Sequence, residues 1–155
     1  MKGNLEILEH LNKVLVNEVI AINQYFLHAK MYKNWGLIKL GDKEYKESIE
    51  EMIHADHLVE RILFLEGRPK IFGIDKLHIG ADVVGIIQRD LELEEKHAAP
   101  DLREGIAFAE TIGDFITRDM FKTILHDEED HIDWLETQLE LIDRIGLENY
   151  QQSMM

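Results

Sequence analysis

Two glutamate–histidine motifs stand at matching distances behind two other glutamates. The segment 51–54, of the form Glu-x-x-His, begins 33 residues after Glu18, and the segment 128–131, of the same form, begins 34 residues after Glu94. Residues three apart lie on one face of an α-helix, so both side chains of a motif can reach a common point. The repetition predicts two helical pairs that each supply one glutamate and one motif. The six residues are Glu18, Glu51, His54, Glu94, Glu128 and His131.

These six residues fall within apolar helical stripes, where ionised side chains need compensation. Burying an unpaired carboxylate is costly, and like charges nearby raise the cost further. Two divalent cations would neutralise four carboxylates, with two neutral imidazoles completing the ligand set. A mixture of carboxylate and imidazole favours iron or manganese, because zinc usually takes four ligands and calcium prefers oxygen. The sequence therefore predicts a di-iron centre in the helical core.

The expected role of each residue follows from its place in the repeat. Glu51 and Glu128 are expected to bridge two ions about 3.5–4 Å apart. Glu18 and Glu94 are expected to be terminal ligands, and His54 and His131 would each complete one ion. Two adjacent Fe(II) ions could pass two electrons to O2 or peroxide. This chemistry predicts a ferroxidase, an enzyme that oxidises Fe(II) to Fe(III).

Other polar residues near the motifs are given different roles. Tyr25 continues the stripe of Glu18 and could serve the centre as a redox-active or hydrogen-bonding neighbour. The alternative is a core tyrosine with an ordinary polar partner. Three acidic residues fall off the stripes and are expected to be solvated, namely Glu47, Glu95 and Glu129. Five histidines lack converging partners and are expected at the surface, namely His10, His57, His78, His97 and His126.

Four long helices are predicted to carry the motifs. Capping residues and glycines set their bounds at about 5–35, 43–66, 83–111 and 114–145. Gly41 is expected to precede the second helix. The third is expected to be kinked near His97–Pro100, where Asp101 could cap its second half.

The lengths of the connections predict how these helices are arranged. Short links join helices one and two and helices three and four, so each pair forms an antiparallel hairpin. The link 67–81 could span roughly 50 Å, whereas the second helix is roughly 36 Å long. We therefore expect an all-α, ferritin-like four-helix bundle with a long crossover between helices two and three. A plain up-down-up-down bundle with a loose loop is the alternative.

Composition narrows the class of protein. The chain has 155 residues, of which 45% are hydrophobic, which suits one domain with one core. A formal net charge of -14 argues against nucleic acid as a partner. There is no cysteine for thiolate chemistry, no apolar run long enough to cross a membrane and no secretory pattern at the start. We expect a cytoplasmic protein.

Longer strings of residues resemble bacterioferritin over essentially the whole chain. They are 1–3 (MKG), 21–28 (AINQYFLH), 51–56 (EMIHAD), 62–67 (ILFLEG) and 127–137 (DEEDHIDWLET). The resemblance implies a hollow cage of 24 identical subunits that stores mineralised ferric iron. It divides the chain into a di-iron bundle, 1–145, and a short C-terminal fifth helix and tail, 146–155, that would line a symmetry axis. It also makes a ferredoxin-type protein a candidate electron donor for iron release.

The resemblance further implies a haem b between two-fold-related copies, ligated by Met52 of each. Periodicity alone places Met52 about 100° around the helix from Glu51, where an interface contact is the simpler interpretation. One departure concerns Lys46 and Glu50, which stand where many bacterioferritins have His and Asp at an accessory iron site on the inner cage wall. Because Lys46 would repel iron, that accessory site is in doubt here.

Two other functions are compatible with the same residues. A rubrerythrin-like di-iron peroxidase would use a similar centre, although such proteins usually add a cysteine-bound iron site that this chain cannot form. A bundle that sequesters metal or carries haem without turnover is the non-enzymatic alternative.

Overall fold

The structure is a computed structural model that describes residues 1–155, and every regular element in it is helical. The helices are α1 (Leu5–Asn34), α2 (Ile38–Phe64), α3 (Val83–Leu93), α4 (Ala99–Thr111), α5 (Phe115–Ile145) and α6 (Leu147–Ser153). A π-helical turn, Glu94–Ala98, joins α3 to α4 without a break, so the two form one long third helix. A 3-10 turn, Ile74–Lys76, lies in the long connection before α3. None of the helices has the length and apolar character needed to span a membrane.

The starts of three helices are capped by side chains. The side chains of Asn4, Asp82 and Asp114 each accept a hydrogen bond from a backbone N–H in the first turn of α1, α3 and α5. These bonds satisfy donors that the helix itself leaves free.

The start of α2 differs from the expectation, because this helix begins at Ile38 and Gly41 lies inside it. A Cβ atom at Gly41 would lie 3.1 Å from the carbonyl oxygen of Ala29 and 2.5 Å from Cγ of Lys33. Gly41 therefore permits the close approach of α1 and α2 and does not break the helix.

The predicted long crossover is confirmed by the direction of the helices. Asn17 contacts Asp101 and Gln24 contacts Asp90, so positions increase along α1 while they decrease along the third helix. The two helices are therefore antiparallel. The short link 35–37 also makes α1 antiparallel to α2, so α2 and the third helix run parallel. The connection between them must return along the bundle, as in ferritin-like folds.

The third helix contains a π turn where a kink was expected. The backbone N–H of Ala99 bonds to the carbonyl of Glu94, five residues earlier, just before Pro100. Proline lacks an N–H, and the wider turn lets the helix continue past it. Asp101 does not cap a second segment as expected, because its Oδ2 accepts a hydrogen bond from Asn17.

The end of the chain packs against the bundle. Tyr150 of α6 is buried and donates a hydrogen bond of 2.8 Å to Gln138 of α5. The backbone N–H of Lys39 bonds to the carbonyl of Met154 at 3.0 Å. The fifth helix expected after the bundle is therefore present as α6. The division of the chain at residue 146 stays a prediction.

Apolar side chains fill both ends of the bundle and leave its middle to polar groups. One large cluster lies at the start of α1 and includes Ile7, Leu11, Leu58, Ile62 and Phe121. Another lies at the opposite end and includes Tyr32, Leu40, Ile86, Leu135 and Tyr150. The six residues of the repeated motifs lie between these clusters, so a rigid apolar core holds them from both sides.

Candidate metal centre

Four of the six motif residues converge between α1, α2 and α5. Donor atoms of Glu18, Glu51, His54 and Glu128 all lie within 4.8 Å of one another. The Nδ1 atom of His54 lies 3.5 Å from Glu18 Oε2 and 3.3 Å from Glu128 Oε1. Metal–ligand bonds of about 2.0–2.2 Å place neighbouring donors about 3–3.5 Å apart. These separations suit a single ion, and we call this the first metal position.

The remaining two motif residues lie beside Glu128, and we call these three residues the second metal position. The Nδ1 atom of His131 lies 3.6 Å from Glu94 Oε1. The charges of Glu51 and Glu94 both act on Glu128, so this carboxyl group stands between the two positions. The structure thus brings together all six residues, which we call the metal centre.

Most donor atoms of the metal centre are buried without a hydrogen-bond partner. They include both oxygens of Glu18, both oxygens of Glu128 and both ring nitrogens of His131. Folded proteins leave few buried polar atoms unpaired, because each costs free energy. Metal ions would satisfy these atoms, and the mixed carboxylate and imidazole donors suit iron. The residues present therefore fit a pair of iron ions.

In the metal-free protein, bound protons offset part of the negative charge of the metal centre. Burial alone lowers the pKa of His54, but the neighbouring carboxylates of Glu51 and Asp127 outweigh it and raise the pKa to about 9. Burial likewise lowers the pKa of His131, and Glu94 raises it to about 9. Burial and neighbouring carboxylates raise the pKa of Glu128 well above its usual value. Metal binding must displace these protons.

Two residues outside the six support individual ligands. Asp127 Oδ2 lies 2.8 Å from Nε2 of His54, a contact that fixes the ring and leaves Nδ1 facing the first position. The Tyr25 hydroxyl donates a hydrogen bond to Glu94. Tyr25 therefore contacts the centre, as the sequence indicated. Sequence reasoning missed Asp127, whose only signal was its place next to Glu128.

The position of Glu47 corrects an expectation. This residue is only 4% exposed, although its position in the sequence predicted a solvent-exposed side chain. It stands four residues before Glu51 and therefore shares its helix face. Its Oε2 lies 3.7 Å from Nδ1 of His131, beside the second metal position. The other two acidic residues assigned to solvent, Glu95 and Glu129, are exposed.

The five histidines expected at the surface are exposed with one exception. His10 is half-buried, and its ring stacks on that of Phe108 with 5.1 Å between the centroids. The exposed four are His57, His78, His97 and His126.

Sequence reasoning also missed a second buried group of polar side chains, which we call the buried network. It consists of Gln24, His28, Glu44 and Asp90, and all four are nearly or completely buried. Asp90 Oδ1 accepts a hydrogen bond from Gln24 at 2.9 Å and faces Nδ1 of His28 at 2.9 Å. The available signal was periodicity, since Glu44 lies two turns before Glu51 and Asp90 lies one turn before Glu94, on the same helix faces.

The buried network has the residue types of a metal site but lacks a free imidazole nitrogen. The backbone N–H of Gly80 donates to Nε2 of His28 at 3.0 Å, so the ring proton lies on Nδ1, facing Asp90. A nitrogen that carries a proton cannot ligate a metal. Burial and Asp90 raise the pKa of Glu44 well above its usual value, which favours the neutral form of this carboxyl group. We interpret the network as structural.

Met52 lies on the outside of the bundle, as its periodicity indicated. It is 59% exposed and borders an apolar groove of about 550 Å³ between α1 and α2. The apolar side chains that line this groove include Leu15, Val19, Ile22, Ile49, Ile53 and Val59. Lys46 and Glu50 are also exposed, on another part of α2.

An all-α bundle with a long crossover and a buried carboxylate–histidine centre defines a protein of the ferritin-like class. Comparison with known proteins agrees, because the family model described as a ferritin-like domain matches residues 8–145. The chain belongs to this family.

Three individual relatives show which members of this family the chain resembles. The bacterial ferritin of Pseudomonas aeruginosa is 46% identical over the full length of both chains. The bacterioferritin of Brucella melitensis is 43% identical over 98% of this chain and 94% of its own length. The bacterioferritin of Rhodobacter capsulatus is 42% identical over 97% of this chain and 92% of its own length. The resemblance to bacterioferritin is thus confirmed, and these full-length matches do not favour the rubrerythrin-like alternative.

Proposed function

We propose that the protein is a ferroxidase that oxidises Fe(II) at the metal centre and stores the Fe(III) product. Iron storage is the function of the bacterioferritin family to which the chain belongs. The observation that supports oxidation at this site is the set of unpaired buried donors on Glu18, Glu128 and His131. A site that only stabilised the fold would leave fewer such atoms unpaired.

Fe(II) is the substrate, and the six motif residues bind it. Glu18 and His54 hold one ion, Glu94 and His131 hold the other, and the bridging carboxylates are Glu51 and Glu128. Two Fe(II) ions lose one electron each, while O2 gains two electrons and two protons to give H2O2. With H2O2 as oxidant, the same two electrons and two protons give two water molecules. Carboxylate oxygens favour the Fe(III) product because it is a hard cation.

Tyr25 has a supporting role in this proposal. Its hydroxyl binds Glu94 and so orients a terminal ligand of the second position. Its phenol ring also stands edge-on to His131, with 5.2 Å between the centroids, close enough to act as a redox-active neighbour.

Anaerobic Fe(II) titration of the metal-free protein, followed by O2, tests the proposal. We expect two Fe(II) per chain and rapid oxygen uptake. In Glu18→Ala, oxidation should slow by more than tenfold, because one ion loses its terminal carboxylate. Glu129→Ala is the matched control, since Glu129 is exposed and pairs only with Arg103 at the surface. A Glu18→Ala variant that oxidised iron as fast as the original protein would instead support a non-catalytic bundle.

A cage of 24 copies is the assembly that the proposed storage function requires. Gel filtration should give one very large particle, and iron loading should leave a mineral inside it. A dimer-sized particle that prefers peroxide and retains no mineral would contradict storage. A ferredoxin-type electron donor for iron release stays a prediction.

Haem b is a further candidate, bound between two copies through Met52. An exposed methionine beside an apolar groove supports it, because haem is a large apolar group with polar edges, and the bound group would supply electron transfer. Met52→Leu should abolish haem absorbance while leaving iron oxidation intact. Met155→Leu, which changes another exposed methionine, should retain the absorbance.

A further inference from the structure

The two metal positions differ in one buried carboxylate. In α5, the residue four positions before the bridging Glu128 is Ile124, which is apolar and buried. In α2, the residue four positions before the bridging Glu51 is Glu47, which lies beside the second position. The repeat that relates the two halves of the centre is therefore broken at this point, and only the second position has an additional acidic neighbour.

Glu47 has the separation from His131 that the other ligands have from their histidines. Its Oε2 lies 3.7 Å from Nδ1 of His131, and Glu94 Oε1 lies 3.6 Å from the same atom. Both ring nitrogens of His131 are buried and without a hydrogen-bond partner. A metal ion bound to Nδ1 of His131 would therefore lie within reach of Glu47.

Lys43 holds the other oxygen of Glu47. Its ammonium group lies 2.7 Å from Glu47 Oε1, one helical turn away, which leaves Oε2 directed to His131. The same ammonium lies 5.0 Å from the ring centre of Trp134, a favourable cation–π distance. The ring of Trp134 stacks beside that of His131. Lys43 is thus held in place by two contacts and compensates the additional carboxylate.

We propose that Glu47 is a seventh metal ligand, specific to the second metal position, and that Lys43 is the residue that orients it. This inference rests on the proposed function, because it assumes that metal binds the six motif residues. Glu47 binds the ion through Oε2 while Oε1 keeps its ion pair with Lys43. A charged hydrogen-bonding partner behind a ligand fixes the ligand and so raises metal affinity.

Anaerobic Co(II) titration of the full-length metal-free assembly tests the inference, with calorimetry and Co(II) absorbance as readouts. Glu47→Gln should weaken one of the two binding steps about tenfold, and Lys43→Met should weaken the same step about threefold to tenfold. Lys43→Arg should restore most of the affinity because it keeps the charge. Lys39→Met is the matched control, an exposed lysine on the same helix, and should change neither step.

The identity of the affected position can be established in a Glu18→Ala background, where the first position is weakened. The remaining Co(II) should still respond to Glu47→Gln. The two changes should also be non-additive, so that Lys43→Met has no further effect once Glu47 is Gln. If Lys43→Met tightened Co(II) binding, the lysine would compete with the metal instead of orienting Glu47. If Lys43→Met had no effect, or an effect that added to that of Glu47→Gln, the lysine would not act through Glu47. Each result overturns the inference. If the original protein bound fewer than two Co(II), the proposed function itself would fail.

Discussion

The metal centre and the buried network contain the same kinds of side chain at the same depth but differ in what their atoms contact. In the metal centre, Glu18 and Glu128 have no partner for either oxygen. In the buried network, Asp90 binds Gln24 and His28 through one oxygen. One oxygen of Glu44 and one of Asp90 are unpaired, but the raised pKa of Glu44 favours its neutral form and so reduces the buried charge.

The comparison shows that burial and residue type do not by themselves make a metal site. The imidazole decides the outcome in each cluster. His54 contacts Asp127 through Nε2, so its Nδ1 faces the other ligands, and displacing one proton frees it. His28 accepts the N–H of Gly80 on Nε2, so its Nδ1 must carry the proton. A single backbone contact therefore distinguishes the buried network from the candidate metal centre.

The largest effect that we expect from this difference is on the pH dependence of the metal-free protein. The folded-state pKa of His54 and of His131 is raised from 6.5 to about 9. Each raised pKa contributes stability that is complete below pH 6.5 and is lost as the pH rises to 9, on the order of 3 kcal/mol per histidine at most. Thermal unfolding should show the midpoint falling across this range.

Bound metal should remove this pH dependence of the unfolding midpoint, because the metal ions take the place of the protons. The Co(II)-loaded protein should keep its midpoint between pH 6.5 and 9, while Co(II) affinity rises with pH. A His54→Gln variant, still metal-free, should lose about half of the pH dependence. A midpoint that stays constant in the metal-free protein would show that protons do not compensate the centre.

A second prediction concerns single substitutions, which should change the stability of the metal-free protein in opposite directions in the two clusters. Asp90→Ala should destabilise it by about 3–5 kcal/mol, because His28 and Gln24 lose a buried charged acceptor. Glu18→Gln should stabilise it by about 1–2 kcal/mol, because it removes a buried charge whose oxygens accept no hydrogen bond. Chemical denaturation measures both changes. Destabilisation of similar size by both would contradict the distinction between the clusters.

Much of this site could be predicted from the sequence because its spacing is regular. The two Glu-x-x-His motifs needed only helical periodicity to be placed on one face, and the structure brings Glu51 and Glu128 together. The crossover followed from the length of the link 67–81. Both inferences depend on properties that act over many residues, so errors of one or two positions in the helix bounds did not alter them.

The errors arose where a single position or a distant contact decides the result. Gly41 was interpreted as a helix break, although it serves the packing of α1 on α2. The role of His28 depends on the N–H of Gly80, a contact between residues 52 positions apart that no local pattern reveals.

The third prediction, with the smallest expected effect, concerns a contact that joins the metal centre to its surroundings. Asp127 is the outer partner of His54, much as Gly80 is the outer partner of His28. Asp127→Asn keeps the size and one acceptor but removes the charge that makes the imidazole a better ligand. Co(II) affinity at the first position should therefore fall by about tenfold, the lower end of the range for such partners. Asp130→Asn, three residues further along α5 and exposed, should leave the affinity unchanged. If Asp127→Asn also left it unchanged, the orientation of His54 would have to come from the packing of the core alone, and the outer partner of the imidazole would not be what distinguishes the two clusters.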